Sequence, residues 1–125
     1  MKKETLLKVE NLVVHYETHN EVVEAVNNVS FEILSGQTLG LVGETGAGKT
    51  TIALAIMRLL PKTTGKVIQG SIYFDGKDIQ ALSTREMRAI RGHDISMIFQ
   101  DPMSSLNPVL PIDEQIAELI RLHRH

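Results

Sequence analysis

These 125 residues predict an α/β fold in which a parallel core sheet carries a glycine-rich loop and an antiparallel sheet packs beside it. Three observations lead there. Two β-branched runs near the start flank a polar turn, as paired strands do. Two shorter runs, "TLGLVG" and "DISMIFQ", are nearly all apolar, which suits strands buried on both faces of a parallel sheet. The first of these leads directly into "GETGAGKT" and then a helical pattern.

The elements follow in order. "LLKVENLVVHY" (Leu6 to Tyr16) and "VVEAVNNVSFEI" (Val22 to Ile33) read as strands joined through the polar "ETHNE". "SGQ" at 35–37 is a turn, and "TLGLVG" at 38–43 is the first core strand. A helical pattern runs from Lys49 to Leu60 and is stopped by Pro61, which has no N–H to donate and clashes with the preceding turn. "KTTGK" is a loop, and "VIQGSIYFDG" is a strand closing in a turn at Asp75-Gly76. "STREMRAIRG" opens on Ser83 with Glu86 three residues on, a capping box, and ends at Gly92. "DISMIFQ" is the second core strand, and "DPMSSLNPVLP", with three of the four prolines, is a loop. "IDEQIAELIRLHRH" is a helix with Ile112, Ile116, Leu119, Ile120 and His123 on one face.

Composition excludes several classes of function. With 42% hydrophobic and 22% charged residues, the chain has the make-up of one soluble domain. A domain of this size buries roughly two-thirds of its unfolded surface. The net charge of −2 lacks the basic excess that nucleic-acid binding draws on, so no nucleic-acid partner is expected. There is no cysteine, hence no disulfide, zinc thiolate or thiol nucleophile. Lys8 and Glu10 interrupt the apolar stretch of "MKKETLLKVENLVV", which is therefore not a signal peptide. No uncharged run approaches the roughly 18 residues of a membrane-spanning helix. The expectation is a cytosolic chain.

The chemistry concentrates in the glycine-rich loop. Gly43, Gly48, Lys49 and Thr50 match the pattern G-x-x-x-x-G-K-[ST]. Phosphate oxygens need many short hydrogen bonds, and consecutive backbone N–H groups in such a loop form a concave nest that side chains would block. The helix that follows adds its positive dipole end. Lys49 then reaches the β/γ-phosphates, and Thr50 offers its hydroxyl to Mg²⁺. The bland alternative is a glycine turn capping a helix. A chance match in a chain of this length arises in well under about one per cent of cases at average residue frequencies. The nucleotide site predicted here comprises Gly43, Glu44, Thr45, Gly46, Ala47, Gly48, Lys49, Thr50 and Thr51.

Gln100, ending the second core strand, has two readings from the residues alone. Its amide can reach the metal or the attacking water, or it is an ordinary polar strand end before a surface turn.

"LGLVGETGAGKTT", followed some fifty residues later by "ISMIFQDPMSSLNPV", resembles the ATP-binding subunits of ABC transporters. "FQDPMSSLNP" looks like their oligopeptide/dipeptide (and nickel) import branch, and the likeness runs through the whole chain. The resemblance implies a P-loop NTPase that binds ATP and Mg²⁺. Tyr16 would stack on adenine, a role weighed against simple packing. Gln100 would be the Q-loop glutamine contacting Mg²⁺ and water. The loop 101–111 would face the membrane subunit. "LPIDEQI" departs from the more usual "LTIGEQI", stiffening and charging the start of the helix through Pro111 and Asp113.

The family pattern continues with "LSGGQ", an apolar strand ending in Asp-Glu and a switch histidine, and none of these occurs in the 125 residues. Residues 1–125 are accordingly read as the N-terminal portion of a nucleotide-binding domain, stopping before the signature and Walker B regions, with a helical subdomain beginning at about 112. The implied function is ATP binding and, in the full-length protein, hydrolysis driving peptide uptake. Implied partners are a second ATP-binding subunit, transmembrane permease subunits and an extracytoplasmic solute-binding protein, at the cytoplasmic face of the membrane. Two rivals stand: a module that binds nucleotide without turnover, and a soluble ABC ATPase acting on DNA or ribosomes. The five histidines (15, 19, 93, 123 and 125) read as solvated, and Arg85, Arg88 and Arg91 read as a solvated helix face.

Overall fold

The computed structural model describes residues 4–43, 48–98, 109 and 111–123. They form two compact units, 1–82 and 83–125.

In the first unit, β1 (Thr5–Glu17) and β2 (Val22–Leu34) make the expected hairpin, and β3 (Gly65–Phe74) pairs antiparallel with the other side of β1. A two-residue strand, β4 (Lys77–Asp78), folds back on β3 through Asp75 and Gly76. Both turn residues have positive φ (50° and 78°), the twist that suits tight hairpins. The sheet order is β2-β1-β3-β4, so β1 is held on both edges.

Val9, Leu12 and Val14 of β1 are all buried, which breaks strict alternation between 9 and 12. Asn11 takes up the extra residue. It adopts a left-handed φ of 51°, and its N–H donates to Ser30 Oγ at 2.8 Å. The register against both neighbours shifts at this point, which returns Leu12 and Val14 to the core face. Gly70 of β3 lies against the bulge at φ 103°, and a Cβ there would come within 2.6–2.7 Å of Asn11 O, Leu12 Cα and Glu10 O. Only glycine fits.

Helix α1 (Lys49–Met57) is three residues shorter than its pattern predicts. Arg58 turns left-handed (φ 54°), and its N–H and that of Leu59 donate to the carbonyls of Ala55 and Leu54. The Arg58 guanidinium is fixed by the carbonyl oxygens of Ile79 (3.2 Å) and Leu82 (2.7 Å). A long-range anchor at Arg58 accompanies the helix stop, three residues before proline.

In the second unit, α2 (Thr84–Ile90) carries the predicted capping box: Glu86 N–H donates to Ser83 Oγ at 3.1 Å, and Ser83 N–H to Glu86 Oε1 at 3.4 Å. Helix α3 (Ile112–His123) starts directly after Pro111, and Asp113 accepts from the Glu114 N–H at 3.0 Å. Ile112, Ile116 and Ile120 of its predicted apolar face are exposed.

The two core strands differ from expectation. Among the described residues, 38–43 pairs with no strand, and Val42 is 96% exposed. Among the described residues of "DISMIFQ", Ile95 makes one parallel bridge to Arg91, and Ile98 is 95% exposed. Both segments carry the composition of a parallel strand, and among the described residues neither joins the four-stranded sheet.

Candidate functional site

The glycine-rich loop joins the extended run 38–43 to α1. Gly48 is the N-cap of α1 with φ 90°, a left-handed conformation that L side chains rarely adopt. It packs against β2 so closely that a Cβ would collide with the carbonyl oxygen of Ala25 and sit 3.3 Å from Val26 Cγ2. With hydrogen as its side chain, Gly48 places no capping group over the first turn of α1, where N–H groups point outward unpaired by the helix. The next residue, Lys49, folds its ammonium back to donate to the Gly43 carbonyl at 2.5 Å, so the cation spans the loop from end to end. Thr50, beside it, is exposed. A left-handed glycine seated on a strand, an open helix N-terminus and a tethered ammonium together fit a phosphate group.

Tyr16 approaches from the sheet. It lies one residue from the end of β1, paired with Val23 on β2 and Gly65 on β3, so its backbone is fixed from both sides. Its hydroxyl is 3.0 Å from Thr51 Oγ1, and either oxygen can donate. Thr51, in the first turn of α1, is 8% exposed and among the described residues is the buried polar side chain. The structure therefore brings Tyr16, Gly43, Gly48, Lys49, Thr50 and Thr51 together. Glu44, Thr45, Gly46, Ala47 and Gln100 lie outside the described residues. Sequence reasoning missed the contribution of β2, whose Ala25 carbonyl backs the loop. No residue type at 25 signals this, because the contact is made by backbone.

His15 and His93 each sit beside a different carboxylate. His15 Nε2 is 3.9 Å from Glu24 Oε1, and His93 Nδ1 is 3.0 Å from Asp94 Oδ1. Among the described residues no group of three His, Cys, Asp or Glu is arranged to hold a metal ion.

A family model described as "ABC transporter" matches residues 26–124. The chain belongs to the ABC transporter family. It is 48% identical over 121 residues to the dipeptide transport ATP-binding protein DppD of Bacillus subtilis, covering 97% of this chain and 36% of that protein. It is 49% identical over 119 residues to the oligopeptide transport ATP-binding protein OppD of Haemophilus influenzae, covering 95% and 36%. The chain thus spans about a third of the length of these relatives. Among solved structures, a dimeric bacterial ABC transporter cassette superposes with a TM-score of 0.81 at 26% identity, over 96% of this chain and 49% of that one. The fold of this ABC chain is that of an ATPase cassette, as the sequence predicts, and its antiparallel sheet has four strands. No helix among the described residues is long and apolar enough to cross a membrane.

Proposed function

We propose that this chain is the phosphate-binding portion of the ATP-binding subunit of an ABC importer, coupling ATP hydrolysis to oligopeptide or dipeptide uptake in the full-length protein. The observation that carries the reading is the loop itself: Gly48 seated on β2, with the Lys49 ammonium drawn across to Gly43. Phosphate oxygens replace the Gly43 carbonyl as partners of Lys49 and accept from the N–H groups of the loop and of α1's first turn. Thr50 and Gln100 would hold Mg²⁺, which would supply positive charge against the phosphates. Adenine stacks on the ring of Tyr16. The relatives that support peptide as cargo are named for dipeptide and oligopeptide transport.

In this reading residues 1–125 form the N-terminal part of the nucleotide-binding domain, with its helical subdomain beginning at about 112. The working protein is a dimer of such subunits docked on permease subunits at the cytoplasmic face of the membrane, supplied by an extracytoplasmic solute-binding protein. The 125-residue chain alone binds nucleotide without turning it over, because phosphoryl transfer depends on groups that position water and stabilise charge. The "LSGGQ" and Asp-Glu motifs are not in this sequence.

Lys49→Ala tests the reading by calorimetry with Mg-ATP. The expected result is loss of detectable binding with an unchanged melting temperature, since among the described residues the Lys49 ammonium bonds to its own loop, at Gly43. Equal affinity in variant and parent would refute the site.

A further inference from the structure

Arg58 ends two helical segments at once. Its left-handed backbone closes α1, where its N–H and that of Leu59 donate to the carbonyls of Ala55 and Leu54. Its side chain closes a second segment, the short 3-10 turn Ile79–Ala81. One guanidinium nitrogen, Nη1, donates to both the Ile79 and the Leu82 carbonyl, at 3.2 and 2.7 Å. A cation there meets the negative end of the turn's dipole. The Ile79 carbonyl also accepts from the Leu82 N–H at 3.4 Å. At the other end of the turn, Asp78 Oδ1 accepts from the Gln80 N–H at 3.0 Å, and Ile79 is fully buried. Leu82 is the last residue of the first unit, and Ser83, next in the chain, caps α2.

Helix α1 therefore has the phosphate loop at one end and this clamp at the other, about 14 Å apart for nine residues. Its backbone bonds make it move as one body, so a force on its first turn reaches Arg58. We infer that Arg58 is a positioning residue that couples the phosphate loop to the carbonyls of Ile79 and Leu82, so that a bound nucleotide tightens the end of the first unit. The inference rests on the proposed phosphate binding at the start of α1. Such coupling is reciprocal: the factor by which nucleotide closes the clamp is the factor by which a closed clamp raises nucleotide affinity.

Amide hydrogen exchange on the 125-residue chain, with and without saturating Mg-ATP, reads the clamp through the Gln80 and Leu82 N–H groups. In the parent, Mg-ATP is expected to slow these two amides about five- to tenfold, the lower range of coupling between sites. The amides of 48–51, which meet the phosphates directly, should slow as well. Arg58→Met removes the guanidinium and keeps an unbranched stem. It should retain the slowing at 48–51 and cut that at Gln80 and Leu82 to within about twofold, the sign of lost coupling. Its Mg-ATP affinity, by calorimetry, should fall by the same factor by which the parent's two amides slow. Arg58→Lys, which keeps the cation, should recover part of both effects.

The parent alone already decides much of this. Slowing at 48–51 with none at Gln80 and Leu82 would overturn the inference and leave phosphate binding intact. Faster exchange at Gln80 and Leu82 in Arg58→Met, with the nucleotide-dependent slowing kept at the parent's value, would also overturn it, because Arg58 would then only build the fold. A parent that shows no binding by calorimetry and no slowing at 48–51 would overturn the proposed function as well.

Discussion

Val14 and Val42 carry the same side chain in comparably apolar runs, yet the first is fully buried and the second is 96% exposed. Ile72 and Ile98 make the same contrast, at 0% and 95%. The buried members belong to an antiparallel sheet in which β1 meets β2 across residues 18–21 and meets β3, with Val9 opposite Ile72, across residues 18–64. The exposed members lie in runs with the composition of parallel strands. Such strands take their neighbours from crossovers of a dozen residues or more. Apolarity therefore states what a strand needs. Local turn chemistry supplies one neighbour of β1, at 18–21, and pairing with β3 supplies the other from distant sequence.

The largest expected effect separates the two regions. Ile72→Ala should lower unfolding free energy by about 2–5 kcal/mol in urea titration, because it opens a cavity in a closed core. Val42→Ser and Ile98→Ser should stay within about 0.5 kcal/mol of the parent, as surface changes do. They should also reduce concentration-dependent association in sedimentation, since unpaired apolar runs template pairing between chains. A loss at Ile98 as large as that at Ile72 would mean that the run is packed in solution and would dissolve the contrast.

Gly70→Ala sharpens the comparison from within the sheet. The substitution sets a methyl against three backbone atoms at a φ of 103°, so a loss of about 1–3 kcal/mol is expected. A neutral result would show that the bulge at Asn11 can move. A smaller loss belongs to the second unit, where Ser83→Ala removes half of the capping box and should cost about 1 kcal/mol of helix stability, read as reduced helicity and a lower melting temperature. The salt link of Lys8 to Glu10 (2.8 Å), which holds the lysine above its ordinary pKa, sits in solvent and adds nothing to this order.

The elements with local signals were legible in the sequence. Ser83 and Glu86 announced α2, and Asp75-Gly76 announced a tight turn. The spacing of Gly43, Gly48 and Lys49 marked the candidate phosphate loop, and each of these signals depends on residues a few positions apart. The C-terminus of α1 was not legible: proline at 61 marked where a helix must stop, whereas the left-handed stop at Arg58 comes with an anchor to carbonyls more than twenty residues away.

The candidate site divides along the same line. The residue types proposed to touch phosphate were chosen from sequence alone, since a nest of N–H groups, a cation and a hydroxyl leave a spaced pattern. The carbonyl of Ala25 behind Gly48 and the bond from Tyr16 to Thr51 came only from tertiary structure. Backbone contacts leave no mark on residue type, and a tyrosine at a strand end looks the same whether or not its hydroxyl has a partner. Folding β1 and β2 beneath α1 supplies that partner, because closing the sheet brings together groups that the chain itself keeps 35 residues apart.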